Sequence, residues 1–241
     1  MFYLIGLGLT LDDVSGRAIK AMKECSTLYM DNYTSLGIGS EKLAGVIGKK
    51  IIPVERAFLE NKMDFILDEA RAKEIGVLVQ GDCLSATTHI SLLLECVKKG
   101  IKYKVVHGVS ILTAVGETGL SLYNFGKIGS IPFERKNLKA PYTLLKENLK
   151  QGMHTLLLLD LSPRENKYVS VPDAVKYLLE QGMEDINCVG CCRLGMDDSK
   201  IVFGKAKCVM KEKFDKFPQC LIIPGKTHFI EEEFLNEFKL N

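Results

Sequence analysis

No apolar run in this 241-residue chain approaches the roughly eighteen residues that a membrane-spanning helix needs. The opening MFYLIGLGLTLDD has neither a basic n-region nor a small-residue cleavage site, so a soluble, cytoplasmic chain is expected. A basic arm is also missing. The 32 basic and 30 acidic residues divide as 14 against 14 over residues 1–120 and 18 against 16 over the rest. That balance argues against the polycationic segment by which chains bind nucleic acid directly. There is no internal repeat and no low-complexity segment.

Two nucleotide signatures are incomplete. Gly6 and Gly8 follow an apolar run, and Asp31 closes the next one, but the third glycine of a dinucleotide fingerprint is replaced by Leu11, where helix and strand must approach closely. Gly126 and Lys127 imitate a P-loop ending, yet Ile128 stands where Ser or Thr would hold the metal. Cysteine is plentiful, at eight residues, but a second Cys or His pair at metal spacing is lacking. Cys188 and Cys191 in NCVGCC are spaced as C-x-x-C, and in a strand positions three apart point to opposite faces, so no metal is expected. The cysteines lie in apolar segments, Cys96 in SLLLECVKKG and Cys208 in KIVFGKAKCVM, which predicts reduced core thiols.

What is present is enough apolar material, 46%, for one large or two modest domains. FYLIG reads as a strand, and Val14, Ala18, Met22 and Cys25 follow at helical spacing. TLYMDNY and KIIPV read as further strands. Met63, Ile66, Leu67 and Ala70 form a helical stripe before strand IGVLVQ, and Ile90, Leu93, Leu94 and Val97 form another before strand YKVVHG. This alternation predicts a mainly parallel sheet with helices on both faces. After a small-residue helix at ILTAVGETGL the texture changes. Strand HTLLLLDL and a helix carrying Ala174, Val175, Leu178 and Leu179 precede INCVGCCRL, KIVFGKAKCVM and CLIIPG, with no helix between these runs. Such strands predict a mixed or antiparallel sheet. Domains of residues 1–112 and 113–241 are expected.

The polar loop GDCLSATTH, residues 81–89, stands between strand IGVLVQ and the helix that follows. In open α/β sheets ligands collect beyond the carboxyl ends of strands, so Asp82 is a binding candidate, and helix capping is an equal reading. Ser110, after YKVVHG, reads first as an N-cap.

LIGLGL, YTS at 33–35, GDCLSATTH, HGVSILTAVGETGLSLYNFGK at 107–127, GMHTLLLLDL at 152–161 and IIPGKTH at 222–228 together resemble the diphthine synthases, and they run in order along almost the whole chain. The resemblance implies a two-domain tetrapyrrole-methylase-like fold, α/β in class, with the cofactor in the interdomain cleft. It implies an S-adenosylmethionine-dependent methyltransferase, homodimeric, acting in diphthamide biosynthesis. The acceptor would be translation elongation factor 2, N-methylated on a modified histidine to give diphthine. Position by position it implies cofactor contacts at Leu9, Asp82, Ser85, Ser110, Ile111, Leu159, Leu194 and Cys220. Two positions depart from the family: Cys220 replaces a usual histidine, and Cys83 replaces the proline of Gly-Asp-Pro, which restores an N–H.

Methyl transfer is an in-line displacement that needs collinear positioning and no metal. His228 in PGKTH is the candidate for acceptor positioning, with a local cap as the competing reading. His89 and His107 are expected to be structural, and His154 a satisfied boundary residue. Asp31 and Tyr33 fall at a strand end near the expected site. Rival readings are a methyltransferase of the same fold acting on a tetrapyrrole or on ribosomal RNA, a nicotinamide oxidoreductase, and a non-catalytic factor that binds elongation factor 2.

Overall fold

The structure, a computed structural model, describes residues 1–31 and 37–240. Tyr33 and the YTS stretch lie outside them. The chain divides into two compact units, Met1–Leu112 and Thr113–Asn241.

The first unit contains β1 (Phe2–Gly6), α1 (Gly16–Glu24), β2 (Thr27–Asp31), α2 (Ser40–Ile47), β3 (Ile52–Val54), α3 (Arg56–Asn61), α4 (Met63–Ala72), β4 (Ile75–Val79), α5 (Ile90–Lys98) and β5 (Tyr103–Val106). Its described strands form a wholly parallel sheet in the order β3-β2-β4-β1-β5. Every residue of β1 and β4 is buried, as central parallel strands covered on both faces require. Alternation along the strands sends Leu4, Tyr29 and Val77 to the side of α4 and α5, and Tyr3, Ile5, Leu28 and Met30 to the side of α1 and α2. Ser15 caps α1 by accepting from the Ala18 N–H at 3.1 Å. The α4 stripe of Ile66, Leu67 and Ala70 is buried as expected.

Helix α5 departs from expectation. It buries Leu92, Leu93 and Cys96, while Ile90, Leu94 and Val97 are 60%, 54% and 62% exposed. Of the expected stripe, Leu93 alone faces the core. ISLLLECVK is apolar nearly all round, so two stripes satisfy the helical period and packing decides between them.

The chain enters the second unit within α6 (Ile111–Ala114), which gives way to a 3-10 turn at Val115–Thr118, so ILTAVGETGL forms a short helical segment and not one long helix. Then come β6 (Gly129–Ile131), α7 (Ala140–Lys150), β7 (Thr155–Leu159), the small ribbon β8 (Leu161–Ser162) and β9 (Lys167–Tyr168), α8 (Val171–Glu180), β10 (Asn187–Cys192), β11 (Lys200–Lys205), α9 (Ala206–Val209), β12 (Gln219–Ile223) and α10 (Phe229–Asn236). The main sheet runs β11-β10-β12-β7-β6, parallel only between β6 and β7, and is the mixed sheet expected. Val171, Ala174, Val175 and Leu178 of α8 pack on Leu157, Leu221 and Ile223. A capping box of Ser170 and Asp173 starts that helix.

Two expectations fail here. The run KIVFGKAKCVM is not strand throughout: its second half folds as α9, too short to show a helical period. Cys208, on that turn, is exposed and not a core thiol.

Candidate cofactor and active site

In the first unit the chain runs from β4 to β5 across β1, so the carboxyl ends of these three strands form a topological switch point, where open parallel sheets bind ligands. Glycines let the loops there touch backbone to backbone. A Cβ on Gly6 would stand 2.7 Å from the Gly108 N and 2.8 Å from the Gly81 O, and one on Gly108 would stand 2.6 Å from the Gly81 O. Gly8 and Gly81 exchange N–H···O bonds of 3.1 and 2.8 Å at φ of +82° and +76°, a conformation that favours glycine. Gln80 clamps the same loops. Its Nε2 donates to the Gly8 and Leu9 carbonyls at 3.0 and 2.7 Å, and its Oε1 accepts from the Ile38 N–H. The Leu9 N–H donates to Asp13 Oδ2 at 3.1 Å.

Asp82 lies at the centre of this junction, 9% exposed. Its Oδ1 accepts from the Leu84 N–H at 2.9 Å and the Ser85 hydroxyl at 3.2 Å. Its Oδ2 lies 2.7 Å from His107 Nδ1 and accepts from the Gly108 N–H at 3.2 Å. Burial pushes the carboxyl up, but the hydrogen bonds from Leu84, His107 and Gly108 outweigh it and hold the group below the usual carboxylate range. Helix α5 begins at His89 without any side-chain cap, so Asp82 caps no helix there; it ties the loop after β4 to the loop after β5.

Ser110, 5% exposed, does accept from the Leu112 N–H at 3.2 Å, which is the capping bond expected of it, and half-buried Ile111 follows. Leu9, Asp82, Ser85 and Ser110 thus stand on the loops after β1, β4 and β5, and Ile111 opens α6 directly after the last of them. His89 Nε2 pairs with Asp31 Oδ2 at 3.2 Å, with both side chains buried, and its Nδ1 meets the Thr87 hydroxyl.

In the second unit Leu159 ends β7, Leu194 follows β10, and Cys220 lies in β12 opposite Leu158 and Cys191. The Cys191 thiol is pushed well above its usual range by its hydrogen bond to Cys220 and by burial. His228 is the N-cap of α10: its ring accepts from the Ile230 N–H at 3.4 Å and its own N–H donates to Glu231 at 2.7 Å. His154 is fully buried, accepts at Nδ1 from the Gly225 N–H at 3.0 Å and faces Glu231 through Nε2. Reading the sequence missed Gln80 and Glu231, while His107, expected to be structural, does hold Asp82. For Gln80 the available signal was a polar residue directly closing an apolar strand run.

Among the described residues no group of His, Cys, Asp and Glu could hold a metal. The donor set does fit a cofactor that combines a cationic centre, hydroxyls and apolar surface: an ionised carboxylate, two serine hydroxyls, and the half-buried Leu9 and Ile111 stand around loops that their glycines pack together.

Such a fold with such loops defines an α/β protein of two compact units whose first sheet ends in a ligand-binding switch point, and the comparisons give its kind. Residues 1–209 match the Tetrapyrrole (Corrin/Porphyrin) Methylases. The chain is 39% identical to the diphthine synthase of Methanocaldococcus jannaschii, over 98% of this chain and 97% of that one. It is 35% identical to the Homo sapiens diphthine methyl ester synthase, over 100% and 95%. A crystal structure of diphthine synthase superposes with a TM-score of 0.93 at 33% identity, covering 99% of this chain and 96% of that one. The chain therefore belongs to the diphthine synthase family of the tetrapyrrole methylases and is a methyltransferase.

Proposed function

We propose that the chain transfers methyl groups from S-adenosylmethionine to the amino nitrogen of the modified histidine of translation elongation factor 2, giving diphthine. The observation that carries this is the near-full-length likeness to diphthine synthases, joined to an ionised Asp82 on the switch-point loops. The donor supplies an electrophilic methyl group on a sulfonium. Asp82 places a negative charge on loops suited to that cation and clasps Ser85 and Gly108, so that hydroxyl and backbone groups are held before the ligand arrives. Leu9, Ser85, Ser110 and Ile111 of the first unit, with Leu159, Leu194 and Cys220 of the second, are proposed as the remaining donor contacts. His228 is proposed to help position the acceptor.

The protein would work as a cytoplasmic homodimer, as the family resemblance implies; among the described residues no helix is long and apolar enough to cross a membrane. Mass spectrometry of elongation factor 2 after incubation with the chain and the donor tests the reading. Methyl increments on the modified histidine that survive mild alkali mark the amine as acceptor. Increments that alkali removes mark an ester, the product suggested by the name of the human relative. No increment at all overturns the proposal.

A further inference from the structure

Among the described residues His107 is the one histidine at the switch-point loops whose ring has a nitrogen without a hydrogen-bond partner. It directly follows β5, its side chain is 67% exposed, and its Nδ1 lies 2.7 Å from Asp82 Oδ2. Asp82 Oδ2 stands in accepting position at that contact, so in the neutral ring the proton sits on Nδ1 and the Nε2 lone pair faces solvent. The other histidines are engaged: His89 with Asp31 and Thr87, His154 with Gly225 and Glu231, and His228 with the start of α10.

N-methylation needs such a group. An alkyl ammonium has no lone pair, so a proton must leave before the nitrogen can attack. We propose that His107 Nε2 accepts this proton from the acceptor's amine, with Asp82 fixing the ring's tautomer and orientation. The proposal rests on the amine-methylation reading above. The Nε2 lone pair takes one proton from the ammonium. The freed nitrogen pair forms the bond to the methyl carbon as the carbon–sulfur pair returns to sulfur. The imidazolium then passes its proton to water, which the exposed ring can reach.

The neighbouring charged and titratable groups do not compete for this role. Asp13 is turned to the Leu9 and Thr10 N–H groups, Asp31 and His89 face each other, and burial pushes the Cys83 thiol up to about 12. Asp82 is the carboxylate that the described loops place against the ring.

The test uses His107→Asn, whose amide can still donate to Asp82 but offers no basic nitrogen. Single-turnover methylation at saturating donor should fall by roughly 10²- to 10⁴-fold near neutral pH. Part of that loss should return with added imidazole or at alkaline pH, while donor affinity stays at the parent value. Independently of turnover, ¹⁵N spectra of the donor-free parent should show the His107 ring protonated at Nδ1. A variant with the parent rate and pH profile, a loss explained wholly by weaker donor binding, or a ring protonated at Nε2 alone overturns the inference. A parent that methylates only a carboxylate, or nothing, overturns the amine reading beneath it.

Discussion

His154 and Glu231 meet 3.3 Å apart, Nε2 to Oε1, with side chains 0% and 3% exposed. Because the Gly225 N–H donates to Nδ1, the ring proton sits on Nε2 and points at the carboxylate. Glu231 also accepts from the Ser121 and His228 N–H groups, each at 2.7 Å. Burial alone would raise this carboxyl; the bonds from His228, Ser121 and His154 outweigh it and lower it from 4.5 to about 2. The folded carboxyl is the stronger acid, so its contribution is complete above the unfolded value near 4.5 and disappears as pH falls through about 2. That difference is worth on the order of 3 kcal/mol. Urea unfolding between these pH values should show the loss in the parent. Glu231→Gln turns a donor towards at least one of the backbone N–H groups and should cost about 1–3 kcal/mol at neutral pH while flattening this acid limb.

Thiol chemistry gives a second expectation. Of the eight cysteines only Cys208 is exposed. Burial pushes Cys25, Cys83 and Cys188 up to about 12 and Cys96 up to about 11, which suppresses the reactive thiolate. The native protein should therefore release colour rapidly from a disulfide reagent at one thiol, and Cys208→Ser should remove that phase. A second rapid thiol in the folded protein contradicts the buried assignments.

Much of the fold is legible in the sequence because its central strands are uninterrupted apolar runs and most of its helices are one-sided. FYLIG, IGVLV and the stripe of Ile66, Leu67 and Ala70 leave a single solution. Helix α5 leaves two, and the choice of Leu92 and Cys96 over Ile90 and Leu94 is made by the sheet it meets. The loop GDCLSATTH is legible as a candidate site by its place between strand and helix. Its working contacts are not: Asp82 and His107 are 25 residues apart and meet only because β4 and β5 flank β1. No local pattern encodes that pairing.

Asp82→Asn probes this junction. The amide keeps one acceptor but turns a donor either to the Leu84 and Ser85 side or to the Gly108 and His107 side, and it removes the charge. Donor affinity should weaken by roughly 1–3 kcal/mol, and the melting temperature should fall as well. Calorimetric titration alongside thermal unfolding separates the two effects. A lower melting temperature with unchanged donor affinity reduces Asp82 to a clasp between loops.

His228 requires a pair of variants, because its ring has a structural task at the start of α10. His228→Ala loses the side-chain cap and should cost about 0.5–1 kcal/mol of stability, towards the low end because the bond to the Ile230 N–H is long at 3.4 Å. His228→Ser supplies a hydroxyl cap in its place while removing the imidazole, so it should regain that stability. If His228 also positions the acceptor, both variants should transfer methyl groups to elongation factor 2 more slowly, at unchanged donor affinity, since misplacing the amine costs rate without loosening the donor. Single-turnover methylation by the serine variant decides the matter: transfer at the parent rate leaves His228 with the cap as its whole function.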